Sequence, residues 1–206
     1  MKLYHMRGAC SLADLIVLGW AEAAHEVVPM TLESLKTPDY LAINPGGNVP
    51  LLVHDGFALT ENVAILGYLA DLYPHARLAG DGCLRGRADV MRWLAFLNSD
   101  VHKAFKPLFS PSRFLETREL DGELAQNARH HIRVYLERLN GVLAERDWLT
   151  GQRSVADAYL FVILRWAAGM DVDMRGLDAL AAFSRRMADD PAVRTALLAE
   201  HGERPD

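Results

Sequence analysis

Cysteine is scarce in this chain: two among 206 residues, Cys10 and Cys83. Two thiols so far apart build no disulfide framework, and neither belongs to a C-x-x-C pair. Free thiols in a reducing cytoplasm are expected. Basic charge is also short. Twenty-two Lys and Arg stand against 27 Asp and Glu, a formal net charge of −5, which argues against a nucleic-acid partner but leaves room for a small basic pocket. No apolar run approaches the roughly 20 residues that cross a bilayer, so no membrane partner is expected. The opening MKLYHMRGAC is too short and polar for the core of a secretory signal. There is no Gly-rich phosphate loop, internal repeat or low-complexity tract. His130 and His131 are adjacent and face different sides of a helix, and Cys83 has no ligand-type neighbour in sequence, so no metal is expected.

What is present falls into two rhythms. Half the residues are hydrophobic and 24% are charged, the balance of a globular protein with a substantial core. KLYHM (2–6) reads as a strand, 11–24 as a helix and HEVVPM (25–30) as a strand ending at Pro29. Residues 31–47 carry no clear period. NVPLLVHDGFALT (48–60) reads as two strands joined at Asp55-Gly56, and ENVAILGYLADLYP as a helix stopped by Pro74. This β-α-β, then β-β-α order predicts a small α/β domain over 1–77, thioredoxin-like if the first two strands are parallel. Gly and polar residues in HARLAGDGCLRG (75–86) mark a linker, placed at 78–86. The remainder, 87–206, reads as an all-α domain. Its helical segments are 87–109, 116–145, 154–168 and 178–200, the last broken near Pro191.

Cys10 stands where the first strand hands over to the first helix. Free cysteine is often simply a small buried hydrophobe. A helix N-terminus, however, lowers a thiol pKa from ~8.5 and favours thiolate chemistry. Ala13 stands at Cys10 plus three, so the chemistry would be monothiol. Glu61 and Asn62 open a helix after Thr60, which reads equally as an anion site or as ordinary capping. Ser99, His102 and Lys106 share one helical stripe, with Lys103 beside it; such a stripe is a solvated face or the wall of a site. Ser154 and Asp157 form an S-x-x-D capping box, a folding signal whose loss costs about 1 kcal/mol.

Five stretches in order, GACSL (8–12), NPGGNVPLL (44–52), LTENVAILGYLAD (59–71), WLAFLNSDVHKAFKPLF (93–109) and SVADAYLF (154–161), resemble the glutathione S-transferase superfamily and its bacterial beta class. The resemblance implies a cytoplasmic homodimer with glutathione as co-substrate and its sulfur at Cys10. It implies that Val49, before a cis Pro50, pairs with the cysteinyl part, and that Glu61 and Asn62 hold the γ-glutamyl end. Ser99, His102 and Lys103 would reach glutathione from the helical domain, His102 also serving Cys10, and Lys36 is a candidate for the glycine carboxylate. Phe105, Phe109 and Trp166 are expected around an apolar electrophile. Two reactions follow: conjugation to that electrophile, and thiol-disulfide exchange through a Cys10–glutathione mixed disulfide. A transferase-like binding or regulatory protein without turnover is the alternative. His5, Met6, Gly46, Asn48 and Ala95 depart from the family's pattern, and the changes at 46, 48 and 95 remove polar contacts to glutathione.

Overall fold

A computed structural model describes residues 1–200. Strand β1 (Lys2–His5) pairs in parallel with β2 (Glu26–Pro29), and helix α1 (Leu12–Trp20) makes the crossover. Strands β3 (Leu51–His54) and β4 (Phe57–Thr60) complete a sheet in the order β2-β1-β3-β4, with β3 antiparallel to both neighbours. Asp55 (φ 49°) and Gly56 (φ 79°) make the left-handed pair that a two-residue hairpin needs. The parallel first pair meets the condition for a thioredoxin-like sheet. Residues 31–47 hold a 3-10 turn (Ser34–Lys36) and helix α2 (Pro38–Ile43), with Pro38 in the first turn.

Helix α1 is apolar almost all round, and apart from Gly19 every one of its residues is buried. Such a helix needs partners on more than one face. It packs against α3 (Asn62–Leu72) of its own domain and against α7 (Val155–Gly169) and α9 (Pro191–Glu200) of the helical domain. The two halves therefore share one continuous core. Leu78, expected in the linker, is fully buried, and its carbonyl accepts the Val155 N–H (3.1 Å).

In the helical domain, α4 (Leu84–Phe96) starts a turn earlier than 87, capped by Cys83, whose Sγ accepts the Gly86 N–H. The stripe over 87–109 does not form one helix. After Phe96 the chain widens into a π-helical segment (Leu97–His102), and α5 (Lys106–Phe109) resumes with Pro107 in its first turn. Proline has no N–H to give and its ring clashes with the preceding turn, so a regular α-helix kinks or breaks there. Helices α6 (Asp121–Leu143), α7, α8 (Asp178–Asp189) and α9 follow. The break between α8 and α9 is made by Asp190, whose Oδ1 accepts the N–H groups of Ala192 (2.9 Å) and Val193 (3.2 Å), with Pro191 opening α9. The expected reach of the second domain to residue 206 extends past the described residues. No helix among them is long and apolar enough to cross a membrane, and no group of three or more His, Cys, Asp or Glu among them is placed to hold a metal ion.

Candidate active site

Cys10 lies in the tight turn between β1 and α1. Gly8 adopts φ 78°, and Ala9 N–H to Met6 O (3.0 Å) and Ala13 N–H to Cys10 O (2.9 Å) wind the chain into the helix. Both backbone polar groups of Gly8 are tied to the helical domain: its N–H donates to Glu200 Oε1 (2.9 Å) and its carbonyl accepts Trp166 Nε1–H (2.8 Å). Glu200 also pairs with Arg165 (2.8 Å) and is itself buried. Beneath the turn, His5 Nδ1 and Ser11 Oγ are hydrogen-bonded at 2.8 Å.

The thiol is not acidified, which corrects the expectation from its position. Burial above all, with smaller contributions from the Asp14 and Glu61 carboxylates, pushes Cys10 up to about 12, and the Cys10 and Ser11 backbone N–H groups oppose this only in part. Asp14 is fully buried, neither carboxylate oxygen has a partner, and burial holds it protonated well above the usual carboxylate range.

Cys10 lines a cleft of about 360 Å³ between the two domains. The α/β wall is Asn48, Val49, Pro50, Glu61 and Asn62. The Val49-Pro50 bond is cis, and the loop before it is held where Asn44 Nδ2 (2.8 Å) and Tyr40 O–H (2.5 Å) donate to Asn48 O. Glu61 sits at φ 70°, an uncommon conformation for a residue with a side chain, and caps α3, whose first residue is Asn62. Glu61 makes no side-chain cap hydrogen bond to α3, so the N-terminus of that helix remains open toward the cleft.

The helical wall is Asn98, Ser99, His102, Lys103 and Lys106. Three of these come from the π-helical segment, a geometry that recurs at functional sites because it re-aims side chains. His102 Nδ1 lies 2.6 Å from the Tyr159 hydroxyl, and its ring centroid is 4.6 Å from that of Trp166. Burial first, then the charge of Lys106, lowers its pKa to about 4, so the imidazole is neutral at physiological pH. Beside the cleft and sharing Cys10, Val49 and His102 lies a second cavity of about 410 Å³ against Met6, Leu35, Phe109 and Trp166.

Of the residues singled out in the sequence, Cys10, Val49, Pro50, Glu61, Asn62, Ser99, His102 and Lys103 line the cleft, and Phe109 and Trp166 line the adjoining cavity. Two do not. Phe105 is fully buried behind Phe109 and Trp166, with ring centroids 5.8 and 5.7 Å away. Lys36 is exposed on the 3-10 turn, outside the lining of either cavity. Tyr159, Asp14 and Glu200 were not expected at the site; Tyr159 and Asp14 stand within apolar helical runs, and Glu200 lies 192 residues from its Gly8 partner.

A thioredoxin-like sheet with a thiol at its first helix, closed by a helical domain, defines a two-domain thiol-site protein. The comparisons narrow it. The N-terminal domain model of glutathione S-transferases matches residues 1–71 and the C-terminal domain model residues 96–191. A glutathione S-transferase of Xanthomonas campestris pv. campestris is 49% identical over 97% of this chain and 98% of its own. A sphingomonad glutathione S-transferase solved with glutathione superposes with a TM-score of 0.87 at 41% identity, covering 98% of this chain and 99% of its own. A bacterial beta class enzyme of Sphingomonas chungbukensis gives 0.86 at 41% identity, over 97% and 98%. The chain belongs to the glutathione S-transferase family, a family of transferase enzymes, and to its bacterial beta class.

Proposed function

We propose that the enzyme binds glutathione along the α/β wall and conjugates its sulfur to an apolar electrophile held in the adjoining cavity. The observation that carries this reading is a single cleft in which one wall offers a carboxylate, Glu61, beside an open helix N-terminus, and the other offers two lysines. Glutathione carries an ammonium and two carboxylates, and the walls complement them: Glu61 for the ammonium, the Asn62 backbone N–H for the γ-glutamyl carboxylate, and Val49 for the peptide of the cysteinyl residue. Ser99, His102 and Lys103 close over it. A neutral Cys10 thiol is a hydrogen-bond donor, suited to a glutathione thiolate that attacks carbon while the leaving group departs with its electron pair.

Thiol exchange uses the same sulfur differently. The Cys10 thiolate attacks oxidised glutathione, forming a Cys10–glutathione disulfide and releasing glutathione thiolate. With the thiol held near 12, this route is slow at neutral pH and accelerates about tenfold per unit of rising pH. The family assignment also leads us to propose a cytoplasmic homodimer, domains at 1–77 and 87–206, and Phe109 and Trp166 as the electrophile wall. A binding protein without turnover is the second reading, favoured by the protonated Cys10 and by Gly46 and Ala95, which offer no side-chain hydrogen bond. Formation of a glutathione conjugate from a model electrophile separates them. Conjugate formed by wild type supports the enzyme, and one reducible adduct from oxidised glutathione on wild type, with none on Cys10→Ser, adds the exchange route. No conjugate, with an adduct only on Cys83 and no retention on immobilised glutathione, overturns the enzyme reading.

A further inference from the structure

Tyr159 is fully buried on α7, and its hydroxyl sits between two side chains of the π-helical segment, 2.6 Å from His102 Nδ1 and 3.1 Å from Asn98 Oδ1. A phenol has one hydrogen to give. The structure directs that hydrogen to Asn98 Oδ1, which can only accept, rather than to His102 Nδ1, whose role turns on its tautomer. The phenol oxygen is then left to accept, and the short contact to His102 requires that Nδ1 carry the imidazole proton. A neutral imidazole has a single N–H, so Nε2 is bare. With Nδ1 engaged by a buried phenol, Nε2 is the nitrogen left to serve the cleft that His102 lines.

We propose that Tyr159 and Asn98 are positioning residues for His102: they fix its Nδ1–H tautomer and so present a bare Nε2 acceptor to a thiol S–H in the cleft. The proposal rests on the reading of this cleft as a glutathione site. It gives His102 a defined part in the reaction. As the sulfur forms its new bond it keeps the electron pair of the S–H bond, and the hydrogen passes to Nε2. The resulting imidazolium keeps its Nδ1–H on the phenol oxygen and gives up the extra proton to solvent in the open cleft. The opposite tautomer would make Nε2–H a donor and leave a neutral thiol without an acceptor on this ring.

The test is long-range proton–nitrogen correlation spectroscopy of the 15N-labelled full chain at neutral pH, with the His102 signals assigned by their loss in His102→Gln. The expected wild-type pattern is a protonated Nδ1 and a bare Nε2. Asn98→Ala removes the acceptor, turns the Tyr159 hydrogen toward Nδ1 and should switch the ring to Nε2–H. Asn98→Asp keeps an acceptor and should keep the wild-type form. Tyr159→Phe should also lose the fixed tautomer, and the half-buried Asn98 keeps the test readable if that buried substitution unfolds. An Nε2–H wild type, or an Asn98→Ala ring unchanged from wild type, overturns the proposal. In turnover, Asn98→Ala should lower kcat roughly tenfold with little change in the KM for glutathione; a switched tautomer with undiminished kcat overturns the acceptor role. The spectrum needs no turnover, so an inactive protein with the expected tautomer would count against the glutathione reading and leave the positioning intact.

Discussion

The chain contains two S-x-x-D sequences at helix starts, Ser11–Asp14 on α1 and Ser154–Asp157 on α7, and they behave in opposite ways. Both aspartates occupy the third helical position and both are fully buried. On α7, Ser154 is extended (φ −145°, ψ 170°), and Asp157 accepts from Ser154 N–H and O–H (2.8 Å each) and from Leu149 N–H (2.9 Å). On α1, Ser11 is already helical (φ −58°, ψ −13°), its hydroxyl is bonded to His5, and Asp14 accepts nothing. A capping box needs a cap residue outside helical geometry, so that its side chain and N–H meet the third residue. The turn that carries Cys10 winds Ser11 into the helix and forfeits that geometry. The same four-residue pattern is a fold signal in one place and a buried, unsatisfied acid beside the thiol in the other.

Breaking the satisfied box should cost most. Asp157→Ala strands buried donors and should lose about 3 kcal/mol in urea denaturation; a loss below 1 kcal/mol would make the two boxes equivalent. Asp14→Leu should do the reverse and stabilise by about 1–3 kcal/mol, because a partnerless polar group leaves the core. The sign of its pH dependence follows from burial. The unfolded chain releases the Asp14 proton near pH 4 while the fold retains it, so wild type loses stability as pH rises above about 4, and the advantage of Asp14→Leu should widen over that range. Asp14→Asn, in a Cys83→Ser background, removes the carboxyl that opposes Cys10 ionisation. The midpoint of Cys10 alkylation by iodoacetamide, reached at a pH where Asp14 has ionised, should fall by about one pH unit. An unmoved midpoint would assign the high thiol pKa to burial alone. Ser154→Ala, which removes one cap while the Asp157 backbone contacts stay, should cost about 1 kcal/mol by thermal unfolding.

These contrasts also mark where the sequence is legible. Strand and helix order, the Asp55-Gly56 hairpin, and the cleft positions of Cys10, Glu61, Asn62 and His102 follow from period, turn chemistry and motif, all of which are local. The failed box on α1 is not local, because it depends on the path of the chain through Gly8. The π-helical segment escapes a reading by stripe, since its apolar residues Leu97 and Val101 keep a spacing compatible with an α-helix. Phe105 and Phe109 are indistinguishable by spacing, yet one is sealed in the core and the other borders a cavity. Lys36 faces outward because the 3-10 turn, invisible in a stretch without period, directs it there. The partnership of Gly8 with Glu200 crosses nearly the whole chain and has no sequence signature.

That partnership sets an order of events in the life of the molecule. The α/β domain can form its sheet once residue 72 or so has left the ribosome, but the turn bearing Cys10 lacks both of its outside anchors at that stage. Trp166 arrives with α7, and Glu200 only at the end of α9. The Cys10 thiol is therefore made well before either anchor of its turn and set only after both, and a nascent chain stalled short of Glu200 would carry that thiol on an unanchored turn.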